Sequence, residues 1–282
     1  MKRVLWALAA AALLGACSKG EDPAGEEARY GALAIEATCA ADVEAVTRAR
    51  VELPAGCPVP DWREMTMRIA SKTGGFNYNR VWARVANYDP KKDLLLEGDY
   101  EITIFSTPTW HGVANIEEGA DKPYFEGTAT PVTVERRKQT PVPIRAVLAN
   151  TIVKIEFTDE FKGYFANGAT FTLTTAAGNV FTVGYTAEEK SVADTYWYVR
   201  PDAFTISGRA TKQRPSSTAD PETVQFADTK MAKADVKPTT LYTFRFGISG
   251  VGSTDGGVTI TLNDEPIDTE TIDEELNPDS HI

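Results

Sequence analysis

Cys17 is the residue whose surroundings most directly specify a chemistry. Lys2 and Arg3 are followed by an uncharged run from Val4 to Leu14, and the small residues Gly15 and Ala16 stand before the cysteine. An apolar run of that length is too short to cross a bilayer as a mature helix and fits the core of an export signal. Ending in LGAC, it has the pattern of a thiol that receives a diacylglycerol in thioether linkage. The leader 1–16 is then cut away and the new amino terminus acylated. Each buried methylene contributes about 0.8 kcal/mol, so one acyl chain holds marginally and two or three hold permanently. The alternative is an ordinary secretory signal with an incidental cysteine.

The two other cysteines, Cys39 and Cys57, form an even pair in an exported, oxidising context. A disulfide between them would stabilise the fold by about 3 kcal/mol in the chain-entropy model. Two separate buried thiols are the competing reading. A metal centre is not expected, because such sites take four ligands and no histidine lies near either cysteine. The only histidines are His111, behind Trp110 in a loop, and His281, in an acidic terminus where it cannot join a rigid relay. Zinc-protease, nucleophile-elbow and phosphate-loop patterns are absent. Glu117 and Glu118 are adjacent acids of the kind a glycosidase could use, but they read more simply as solvated loop charge. The expectation is a protein that is not an enzyme and carries no cofactor.

Aromatic side chains offer the main hint of binding. Trp62, Trp82, Trp110 and the Tyr196-Trp197-Tyr198 run could stack on sugar rings, although β-proteins use the same residues as large core fillers. Trp110, bracketed by Pro108 and Gly112, is the candidate ligand contact. The 282 residues include 29 basic and 40 acidic side chains, a formal charge of -11. Loss of Lys2 and Arg3 with the leader takes it to -13. Such a balance repels phosphate backbones and anionic lipid, so nucleic acid is excluded as a partner.

The elements that must carry these residues are strands. Residues 17–29 are a small, acidic segment that cannot bury enough surface to fold, and they read as a leash. Beyond it, apolar residues alternate at Met65, Met67 and Ile69, at Tyr100, Ile102 and Ile104, and at Val153, Ile155 and Phe157. The pattern returns at Phe171 and Leu173, at Phe181, Val183 and Tyr185, at Tyr242, Phe244, Phe246 and Ile248, and at Val258, Ile260 and Leu262. Thr158 is placed to cap one short helix with Phe161, Tyr164 and Phe165 on one side. The periodicity predicts an all-β chain of two tandem immunoglobulin-like or transthyretin-like β-sandwiches, at 30–149 and 150–265. The basic, proline-containing stretch from Arg136 to Pro143 leads to the seam near Asn150, and 266–282 is expected to be a flexible acidic tail.

Several segments are familiar. LLLEGDYEITIFS, Leu94 to Ser106, resembles a strand opening of many bacterial surface β-sandwiches. Three further stretches, Pro123 to Gly127, Leu148 to Asn150 and Phe157 to Phe161, together with GGVTITLNDEP from Gly256, resemble a Bacteroidetes family of surface lipoproteins catalogued as a domain of unknown function. Ser18, Lys19, Glu21 and Asp22 loosely resemble the signal that sends Bacteroidetes lipoproteins outward. The cysteine pair and the stretch from Ala40 to Trp62 depart from the family pattern. The resemblance implies β-sandwich architecture and an envelope location, but no chemistry. The expected protein is a lipid-anchored outer-membrane component facing the exterior, structural or adhesive and fimbria-like, with cell-surface protein subunits as partners. The alternative is capture of a glycan or other nutrient.

Overall fold

The computed structural model describes residues 29–40, 59–109, 112, 115–213, 220–248, 258–266 and 270–276. The leader, Cys17, the leash before Arg29, Cys57, Trp110, His111, the Asp255–Gly257 turn and His281 lie outside the described residues. The chain is built of β1 (Tyr30–Ala40), β2 (Thr66–Ser71), β3 (Asn79–Trp82), β4 (Leu95–Leu96), β5 (Gly98–Phe105), β6 (Phe125–Val134), β7 (Gln139–Leu148) and β8 (Thr151–Phe157). The short helix α1 (Asp159–Tyr164) follows, then β9 (Gly168–Thr175), β10 (Val180–Thr186), β11 (Trp197–Val199), β12 (Phe204–Thr211), β13 (Thr223–Met231), β14 (Thr240–Ile248), β15 (Val258–Pro266) and β16 (Glu270–Leu276). The mostly-β expectation holds, and every alternating run named above lies on a strand or at its first flanking residue.

The amino-terminal half differs from a sandwich of two facing sheets. Its strands form one seven-stranded sheet in the order β3-β2-β5-β6-β7-β1-β4, curled as a half-barrel around its own core. Leu33, Met67, Ile69, Tyr100, Ile102, Val134 and Ile144 from five strands meet in that core. One side chain bridges the two ends of the curled sheet. Tyr88, in the loop after β3, packs edge-on against Trp82 with ring centroids 5.5 Å apart, and its hydroxyl accepts from the Leu33 backbone N–H of β1 at 3.1 Å. One side chain thus ties the β3 margin to β1 and satisfies a backbone donor that would otherwise be unpaired. Gly98 opens β5 at φ +148, where an added Cβ would stand 2.6 Å from Thr73 Oγ1. This is the turn role its sequence position suggests.

The carboxy-terminal half has two sheets, β10-β9-β12-β13 and β11-β8-β14-β15-β16, which bury a common core. Phe157, Phe161, Phe171, Phe226 and Phe246 stack there, Phe171 and Phe246 at a centroid separation of 4.1 Å. Thr158 caps α1 by accepting from the Phe161 N–H at 3.2 Å, as its sequence position predicts. Phe161 and Phe165 enter the core, whereas Tyr164 remains 46 % exposed instead of sharing their side. Gly208 lies beneath the Phe171 ring, where any Cβ would come within 2.2 Å of it. Within the expected acidic tail, Glu270–Leu276 pairs antiparallel with β15 as the sheet's outer strand.

Candidate functional site

A set of polar side chains joins the two halves. The connection from β5 to β6 leaves the curled sheet, crosses to the other half and returns, forming a strap. At its centre Glu118 accepts from Thr175 Oγ1 and Asn179 Nδ2, both at 2.7 Å, and from the Arg200 backbone N–H at 2.8 Å. Gly119 and Tyr198 exchange two backbone hydrogen bonds, 3.0 and 2.9 Å long, so the strap adds a short bridge beside β11. Arg200 Nε donates to the Ile116 carbonyl at 3.0 Å. The reading of Glu117 and Glu118 as solvated loop charge therefore fails for Glu118, because its three donors come from segments more than fifty residues away. Glu117 does lie exposed, paired with Lys122 Nζ at 2.9 Å.

A second fastening surrounds the short link between β7 and β8. Asn150 is fully buried, and its Oδ1 accepts from the Tyr124 N–H at 2.5 Å. The loop before β14 grips the same link. Thr239 donates its N–H to the Asn150 carbonyl at 2.7 Å and its hydroxyl to the Leu148 carbonyl at 2.6 Å, while Thr151 Oγ1 donates to the Lys237 carbonyl at 2.7 Å. Thr239 is held at φ +56, an uncommon conformation for a β-branched residue, which these bonds overdetermine. Charge-assisted and buried hydrogen bonds are the stronger members of their class, so the joint is a fastening rather than a loose linker.

Beside the strap opens a cleft of about 400 Å³, lined by Ser106, Pro108, Thr109, Ile116, Lys122 and Tyr124 among others. Its groups are engaged in structure. Ser106 Oγ accepts from the Phe125 N–H at 3.0 Å, and Thr107 Oγ1 donates to the Thr109 carbonyl at 2.8 Å. The Tyr124 hydroxyl donates to Glu126, and burial first, then that carboxylate, push its pKa well above the usual phenol value. A neutral phenol already committed to an acceptor can shape a cleft but is not poised to take a proton. Among the described residues no group of three or more His, Cys, Asp or Glu side chains could hold a metal. No helix among them is long and apolar enough to cross a membrane.

Of the residues singled out by sequence, Trp110 and Cys17 lie outside the described residues, but Pro108 and Thr109, directly before Trp110, line this cleft. Cys39 is half-buried on β1 opposite Ala146 of β7, and its prospective partner Cys57 is outside the described residues. Trp82, Trp197 and Tyr198 are buried at 5 %, 5 % and 3 % exposure, which makes them core fillers. Trp62 is half-buried under the Arg63 guanidinium, and Tyr196 meets the Lys154 ammonium at 4.8 Å from its ring centroid. Sequence reasoning missed Glu118 and Asn150 as fasteners. Their signal was faint: one of two adjacent acids in a long connection, and an asparagine inside an apolar strand junction.

A curled seven-stranded sheet joined through a polar strap to a pair of facing sheets defines the class, a mostly-β chain of two fastened halves. The chain belongs to the family described as "Domain of unknown function (DUF4493)", whose model matches residues 31–278. The family resemblance read from its segments is thereby shown. No curated protein matches it. Among solved structures it is similar to the fimbrial anchor protein Mfa2 of Porphyromonas gingivalis, at 10 % identity and a TM-score of 0.38, covering 86 % of this chain and 100 % of that one. A fimbrial assembly protein of Parabacteroides distasonis is similar at 9 % identity and a TM-score of 0.36, over 75 % and 91 % of the two chains. A Bacteroides ovatus protein provisionally named for cell adhesion shares 12 % identity at a TM-score of 0.38, over 86 % and 98 %.

Proposed function

We propose that this protein is a non-enzymatic lipoprotein of the bacterial outer membrane, acylated at Cys17 and facing the exterior, where it bears load as a structural or adhesive, fimbria-like component. The observation that carries the reading is the path force would take through the fold. A pull from the lipid enters at Tyr30, the first residue of β1. That strand runs parallel to β7 through nine consecutive pairs, Ala32–Gln139 to Ala40–Val147. The load leaves β7 at its far end, Leu148, through the fastened link at Asn150. Because the strands are parallel and loaded at opposite ends, their hydrogen bonds are sheared together rather than opened one at a time. The glutamate strap then keeps the load from swinging the halves apart. A folded body at 30–149 and another at 150–265 fit this division of labour, as does a Cys39–Cys57 bridge stitching the end of β1 to the chain before β2. Cell-surface protein subunits are the partners that such a component would hold.

Protease shaving of intact cells tests the exposure: cleavage without lysis supports it, and cleavage only after lysis overturns it. Pulling single molecules by handles at residues 29 and 150 tests the load path, with rupture of β1 from β7 as the event that limits it. A second reading, capture of a glycan, has one observation in its favour: the cleft lined by Pro108 and Thr109 is of small-ligand size. Saturable glycan binding lost in Trp110→Ala would favour it over a purely structural role.

A further inference from the structure

A second cleft, of about 410 Å³, lies where β1 begins, and its lining includes Tyr30, Leu94, Lys91, Arg137 and Lys138. Its charge is the reverse of the molecule's. The three segments that form it, 29–32, 89–94 and 135–139, carry six basic side chains, Arg29, Lys91, Lys92, Arg136, Arg137 and Lys138, against three acids. Each acid is already in an ion pair: Asp89 with Lys92 at 3.1 Å, Asp93 with Arg80 at 2.8 Å, and Glu135 with Lys138 at 2.5 Å. Arg29, Lys91, Arg136 and Arg137 have no acidic partner among the described residues. Beside these cations Tyr30 and Leu94 are 37 % and 48 % exposed. Arg137 holds φ +58 at the tip of the turn between β6 and β7, a position glycine or asparagine would occupy at lower cost. The stretch that reads in sequence as a basic seam is thus a rim of positive charge at the end of the body where the leash enters.

We infer that this cleft is a membrane-docking face, its cations set on the phosphates of anionic lipid headgroups and Tyr30 and Leu94 lodged at the headgroup boundary. The inference rests on the reading of Cys17 as the lipid attachment point. From Cys17 to Arg29 the chain can span at most about 40 Å. The face that receives the leash is therefore held close to the bilayer, within a few screening lengths of its surface. Clustered cations beside exposed Tyr and Leu have the chemistry that anionic interfaces select. The net charge of the whole chain opposes such a surface, so this end alone faces it and the acidic remainder turns outward. The acidic leash, with Glu21, Asp22, Glu26 and Glu27, is the competing occupant.

The test uses the mature chain with Cys17→Ser, so that no acyl chain contributes, and vesicles of phosphatidylcholine with or without phosphatidylglycerol. The expected result is co-sedimentation with the phosphatidylglycerol vesicles alone, weakened by added salt. The combined variant Lys91→Gln, Arg137→Gln, Lys138→Gln lowers partitioning on the order of a hundredfold at an unchanged thermal midpoint. Lys91→Arg with Lys138→Arg keeps it. Equal binding to both vesicle types, no binding to either, binding that survives the glutamine variant, or binding that emerges only when residues 18–28 are removed would each overturn the inference, the last by seating the leash in the cleft. Palmitate labelling of the unaltered chain reads the attachment point separately, so vesicle binding without labelling would refute the anchor and not the face.

Discussion

The two halves solve the same problem, an unfilled sheet face, by opposite means. The carboxy-terminal half sets two sheets against each other and fills the space with phenylalanine rings, so its cohesion is apolar and lies between layers. The amino-terminal half has a single sheet and must bend it around its own side chains. Bending brings its two ends toward one another, and polar contacts cross the curl: Tyr88, after β3, accepts from the Leu33 N–H of β1, and Tyr100 Oη of β5 donates to the Leu96 carbonyl of the edge strand β4 at 2.9 Å. The one-sheet body therefore relies on individual contacts between its ends as well as on its buried core, where the two-sheet body closes by packing layer on layer. The strap matters because it couples a body of the first kind to one of the second.

The largest effect is expected in the aromatic core. Phe171→Ala should destabilise the carboxy-terminal half by about 3–5 kcal/mol, read as a lowered denaturant midpoint, because the ring contacts Phe157, Phe226 and Phe246 and roofs Gly208. Next comes the coupling. Glu118→Ala removes three hydrogen bonds to a carboxylate and should cost about 2–4 kcal/mol. It should also split one unfolding transition into two, which calorimetry would resolve; a single transition with a small shift would mean that the strap is incidental. Tyr88→Phe keeps the ring against Trp82 but strands the Leu33 N–H, and should cost about 1–2 kcal/mol with hydrogen exchange quickening first in β1.

The pH dependence sharpens the same comparison from both ends of the scale. Burial pushes the Tyr100 phenol up to about 12, and burial also raises Tyr185 in the other half. Each contributes fully below the ordinary value of 10.0, and the contribution drains as pH climbs above it, so alkaline titration should loosen both halves. On the acid side Glu156 behaves differently. Burial alone would raise its pKa, but hydrogen bonds from Lys154 and Arg245 outweigh burial and hold it below 4.5. Its support is present above 4.5 and is lost as pH falls further, a smaller effect confined to the sheet that carries β8 and β14. A mild acid shift that vanishes in Glu156→Gln would identify it.

What could be read from sequence followed from periodicity. Alternation at Tyr100-Ile102-Ile104 and at Tyr242-Phe244-Phe246 located strands, because a period of two survives whatever the strand pairs with. The cap at Thr158 was legible for the same reason: it acts within three residues. Sheet membership was not legible. Nothing local distinguishes a strand of a curled sheet from one of a pair of facing sheets, and the parallel pairing of β1 with β7 joins segments about a hundred residues apart. Glu118 could not be separated from its neighbour Glu117 until the strap's crossing placed Thr175, Asn179 and Arg200 around it. The basic run at Arg136 to Lys138 was visible as charge, but its company with Lys91 and Tyr30 is a product of the fold.

In the proposed function, acylation of the thiol at position 17 is what holds the protein to the membrane. Cells fed an alkyne-bearing palmitate analogue should yield a labelled protein that sediments with membranes, and Cys17→Ala should lose the label and release the chain in soluble form. An unlabelled wild-type protein, or a Cys17→Ala protein that stays membrane-bound to the same extent as wild type when salt is raised enough to weaken headgroup contacts, would contradict it.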